Sequence, residues 1–135
     1  MATTTPQQRA AAYQTAALAL HKLRELCPPG DEHIPKRIAA NLLLLVVGQL
    51  HAAAIPVLRG VAEDEEEPPV TTASQVRSEV AAELARLARH ADGEGRAVVS
   101  ELAGALLDAW AVHTDIGTDL LRMIVAAPSA SEAAI

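Results

Sequence analysis

The run from Ile38 to Leu58, IAANLLLLVVGQLHAAAIPVL, limits the possible folds more than any other stretch. It is too long for a strand and rich in Leu and Ala, both strong helix formers. It predicts one helix from about Pro35 to Arg59, kinked where Pro56 removes a backbone donor and crowds Ala52, or ending early there with a short extra turn after it. At helical spacing Leu43, Val46, Leu50, Ala54 and Val57 share a face, and Leu44, Leu45, Val47 and Ile38 carry apolar surface almost to the other side. A helix apolar nearly all round is either the centre of a bundle or a membrane span. Asn41, Gln49 and His51 would be costly in hydrocarbon, and no Trp or Tyr flanks the run as an interfacial anchor. The bundle centre is therefore expected, with no membrane partner.

The neighbouring stretches read as amphipathic companions. Thr5-Pro6-Gln7-Gln8 opens a first helix with a capping box, and Tyr13, Ala16, Ala17, Leu20, Leu23 and Cys27 form its stripe. Pro28-Pro29-Gly30 stops it. Thr72-Ala73-Ser74-Gln75 is a second capping box. The helix it opens carries a seam of Val76, Val80, Leu84, Leu87 and Ala91, with Glu79, Glu83, Arg86 and His90 expected on the solvent face. A last helix is read from about Gly95 to Ala126, with a stripe of Val99, Leu102, Leu106, Trp110, His113, Gly117, Leu120, Leu121 and Ile124. The expected fold is thus all-α: a four-helix up-down-up-down antiparallel bundle, its second helix most buried and its fourth longest. Residues 1–127 are read as one domain and 128–135 as a loose tail. By eye, no internal repeat is found beyond the two capping boxes.

Composition narrows the function classes. The chain has 135 residues, half of them apolar, which fits one domain with a real core. A formal charge of −6 argues against a nucleic-acid partner. Cys27 is the single cysteine, which excludes an internal disulfide and fits a reducing compartment. The N-terminus lacks a basic segment followed by an apolar one, so no signal peptide is read and the expected location is cytoplasmic. The acidic run Glu63 to Glu67, followed by two prolines, reads as a stiff linker and a possible contact for a basic protein.

No stretch is a specific catalytic or cofactor motif, so neither a cofactor nor a metal is expected. The candidate site is a level of polar groups in the core. Counting ~1.5 Å of rise per residue in an antiparallel bundle brings Tyr13, His51 and His113 near one height, with Trp110 one turn before His113 and Gly117 one turn after. These five residues are the candidate ligand-binding set, the alternative being that they satisfy one another. The main expectation is a non-enzymatic bundle acting through protein–protein interaction, as a homodimer or docked to a partner. The second is a small-ligand, metal or haem-binding bundle using the core histidines. The expected overhang of the fourth helix beyond the third, with the broad apolar coverage of the second, points to a surface shared between two copies.

Overall fold

The computed structural model describes residues 5–46, 53–63, 65, 72–110 and 116–126. Those residues form six helices: α1 Pro6–Leu26, α2 His33–Val46, α3 Ala54–Val61, α4 Ala73–His90, α5 Gly93–Ala109 and α6 Ile116–Ala126. The all-α class holds, and the four-helix up-down-up-down bundle is corrected. Each of the two longest expected helices is in fact a pair, and the longest described element is α1, with 21 residues.

Both capping boxes form as the sequence implies. Thr5 Oγ1 accepts from the Gln8 backbone N–H at 3.1 Å, while Gln8 Oε1 accepts from the Thr5 N–H at 2.8 Å. Thr72 and Gln75 make the same reciprocal pair, both bonds at 3.1 Å. The far ends match as well. Cys27 and Ala91 are extended cap residues whose N–H groups donate to Leu23 and Leu87.

The long apolar run does not stay one rod. α2 runs to Val46, α3 begins at Ala54, and α3 packs back against both α2 and α1. Pro56 therefore sits in the first turn of a new helix, where its missing N–H would have had no helical partner. No kink at Pro56 is needed. The break lets both pieces bury a stripe: Ile34, Ile38, Leu42 and Val46 on α2, then Ala54, Leu58 and Val61 on α3. Leu43, Leu44 and Leu45 stay only half-buried, so the run is less enclosed than its composition implies. Among the described residues no helix is long and apolar enough to cross a membrane.

The last expected helix divides between α5 and α6 for a similar reason. Unbroken, it would reach roughly 48 Å at the α-helical rise and overrun its partners. α6 instead packs on α4 and α5. Gly117 permits this approach, because a Cβ there would lie 2.9 Å from the carbonyl carbon and oxygen of Arg77. Arg96 ties the two pieces together. It is 5% exposed and its Nη2 donates at 2.7 Å to the carbonyl of Ile124, in the last turn of α6. A cation there also complements the helix dipole.

The packing scheme has the form of an internal two-fold. Within the first half, α1 meets α2 and α3, and α2 meets α3. Within the second, α4 meets α5 and α6, and α5 meets α6. Between halves the main seams are α1·α5 and α2·α4, and exchanging the halves maps one seam onto the other. Burial follows the same exchange at a shift of 64 positions, as from Leu20 to Leu84: buried Ala16, Ala17, Leu20 and Leu23 answer to buried Val80, Ala81, Leu84 and Leu87. Ile38, Ala39, Leu42 and Val46 answer likewise to Leu102, Ala103, Leu106 and Trp110. For the third helix the shift is 63, and Ala54, Leu58 and Val61 answer to Gly117, Leu121 and Ile124. Specific contacts repeat too. Asp31 meets His90 at 2.8 Å, and at the equivalent place a Cβ on Gly95 would lie 2.8 Å from the Leu26 carbonyl oxygen. The chain is thus two copies of a three-helix unit, a repeat that inspection of the letters missed because so few of them are identical.

Candidate functional site

The two equivalent seams have diverged, and their polar groups define the candidate sites. In the α1·α5 seam, Trp110 is 2% exposed and Tyr13 is 7% exposed. The Trp110 indole Nε1–H donates to the Tyr13 hydroxyl at 2.8 Å. Tyr13 comes from the early turns of α1 and Trp110 from the cap of α5, so the antiparallel seam brings them together across 97 positions. Burial is the main reason the Tyr13 phenol is pushed above its usual 10.0, and the hydrogen bond from Trp110 opposes that shift.

Two of the five expected site residues are therefore in contact. Gly117 seats α6 against the α4 backbone, where a Cβ would meet Arg77 and Ser78. His51 and His113 lie outside the described residues, as does the acidic linker from residue 66 to residue 71. Among the described residues the candidate set thus contains a buried Trp–Tyr pair in the α1·α5 seam.

The α2·α4 seam is different, and sequence reading missed it. Glu83 was expected on the solvent face of its helix, yet it is 7% exposed. Its Oε1 accepts from Arg37 Nη1 at 3.2 Å. Asn41 is 1% exposed, and its Nδ2 donates to the Arg37 carbonyl oxygen at 3.1 Å. The second oxygen of each side chain, Asn41 Oδ1 and Glu83 Oε2, is buried without a hydrogen-bond partner among the described residues. Such orphaned acceptors cost about 1–3 kcal/mol each, so their presence calls for an explanation. At the equivalent places of the other seam stand Ala19 for Glu83 and Ala105 for Asn41, both buried. Packing alone thus does not require a polar group at either position. A helical-wheel argument could not have found the cluster, because Glu83 lies at the edge of its apolar seam and its burial depends on where α2 crosses.

Other ionisable groups are held in ordinary ways. Asp31, 7% exposed, pins the α1–α2 turn to His90 at the end of α4. The Cys27 thiol is pushed up, by burial first and then by the charge of Glu32, which disfavours the nucleophilic thiolate. Glu32 is held low by hydrogen bonds from its own backbone N–H and that of Gly30. Among the described residues no group of three His, Cys, Asp or Glu side chains is placed to hold a metal ion. Compared with protein-family models, with curated proteins and with solved structures, the chain matches none of them.

Proposed function

We propose that the protein acts by association and not by catalysis, and that it forms a homodimer through the outer side of α2 and α3. The internal repeat supplies the argument. Where the second half shows water the exposed acids Asp108 and Asp119, the first half has Leu44 and Pro56 at the equivalent positions. Half-buried Leu43, Leu45, Ile55 and Val57 adjoin them in sequence, and α2 packs directly on α3. At these two positions one copy of the unit carries an acid where the other carries an apolar residue. That contrast is the observation the proposal rests on. An identical apolar face on a second copy is its natural cover, because a two-fold contact needs only one self-complementary patch. The other exposed large apolar side chains, Leu18 on α1 and Met123 and Val125 on α6, lie on other helices.

Sedimentation velocity over a range of protein concentrations tests this reading. Leu44→Asp installs the residue that the twin position already carries. It should convert a dimer to a monomer while leaving the helical circular dichroism unchanged. A wild-type chain that stays monomeric at high concentration, or a Leu44→Asp variant that dimerises as before, would sink the proposal.

A further inference from the structure

The orphaned oxygens of the α2·α4 seam have no part in that dimer face. We infer that Asn41 Oδ1 and Glu83 Oε2 form a binding site for a small primary ammonium ligand. Both atoms are acceptors, both belong to side chains more than nine-tenths buried, and both sit beside the same residue, Arg37. A ligand for them must bring donors. One of the acceptors belongs to a carboxyl group already facing a guanidinium, and charge-assisted hydrogen bonds favour a cationic donor over a neutral one. An ammonium group carries three N–H donors, as many as two open acceptors can use. A metal cation fits poorly. It would need about six oxygens where two are open, and the described residues offer no third ligating carboxylate, imidazole or thiolate.

Access runs past Arg37. Its side chain is 46% exposed and holds Glu83 through one oxygen at 3.2 Å, not by a two-pronged grip. It swings toward water to admit the ligand, and the carboxylate then faces the ammonium. The twin seam shows that the site is an addition to the fold, since Ala19 and Ala105 fill the same places with nothing to bind.

The repeat also supplies the control variants. Glu83→Ala and Asn41→Ala each make the α2·α4 seam resemble its twin, so both should fold. Thermal melts of the full chain in methylammonium chloride are compared with tetramethylammonium chloride at equal ionic strength, the second cation having no N–H donors. Methylammonium should raise the Tm of the wild type saturably and tetramethylammonium should not. Either alanine variant should abolish the difference, and Arg37→Ala should lower the concentration for half-saturation. Repeating the titration with Nα-acetyl-lysine amide tells a free amine from a lysine side chain, and a saturable response to either supports the site. Equal responses to the two simple cations, or a methylammonium effect that survives Glu83→Ala and Asn41→Ala, would overturn it.

Discussion

The α1·α5 and α2·α4 seams occupy equivalent places in a repeated architecture, and they spend their polar groups differently. In the first, the Trp110 N–H donates to the Tyr13 hydroxyl, and both side chains are buried. In the second, Glu83 and Asn41 are buried with one acceptor each left over. A fold that packs one seam from Leu, Ala and an aromatic pair does not need an orphaned carboxylate in the other. Where two halves share a backbone plan, what each half does not share is where function is to be sought.

The largest expected effect comes from attacking the closed seam. Trp110→Ala empties the biggest fully buried side chain and should cost about 3–5 kcal/mol in denaturant unfolding. A loss below about 1 kcal/mol would mean that Trp110 is not buried in the seam. Next come the glycines that let elements meet. Gly117→Ala and Gly95→Ala each drive a Cβ onto backbone, against Arg77 and Leu26, and should cost about 1–3 kcal/mol as overpacking does. Gly104→Ala, with nothing within 4 Å, should instead be neutral or stabilise by up to about 1 kcal/mol through helix propensity. If all three behave alike, the close approaches are wrong.

Tyr13→Phe sharpens the comparison further. It leaves the Trp110 N–H buried without an acceptor and should cost about 1–3 kcal/mol. It should also change the alkaline limb of stability. The folded phenol titrates above its unfolded value of 10.0, so its contribution is complete below pH 10.0 and is lost as pH rises through the folded value. Urea melts between pH 9 and 11 should therefore lose part of their slope in Tyr13→Phe, and an unchanged slope would place the tyrosine elsewhere. The smallest change is expected in the open seam. Glu83→Ala removes an orphaned acceptor and releases Arg37 to water, so its cost should stay within about 1 kcal/mol without ligand. A loss as large as that of Trp110→Ala would make Glu83 part of the structural core and not an addition to it.

Much of the local structure was legible in the letters. Thr5 and Thr72 each announce a helix start through the Gln three places on, and Val76, Val80, Leu84, Leu87 and Ala91, the expected seam of α4, are all buried, though Ala81 and Glu83 are buried beside them. Trp110 and Tyr13 were singled out as core polar groups before their partnership was visible. The failures share one cause. A continuous apolar phase was taken for a continuous helix, both at Pro35–Arg59 and at Gly95–Ala126, but phase records which side faces inward and not where the axis turns. The same blindness put Glu83 in solvent, because the edge of a stripe is buried or exposed according to the angle of the neighbour.

By itself, then, the sequence determined the helical class, the two capped starts at Thr5 and Thr72 and the central apolar stripes of α1 and α4, though not the edges of those stripes, since propensity, capping and periodicity act over a few residues. Only the tertiary structure decided that the chain folds as two interlocked three-helix units, and which polar side chains that interlocking traps. Those are properties of contacts between residues some 46 to 97 positions apart, such as Arg37 with Glu83 and Tyr13 with Trp110, and no local pattern encodes them.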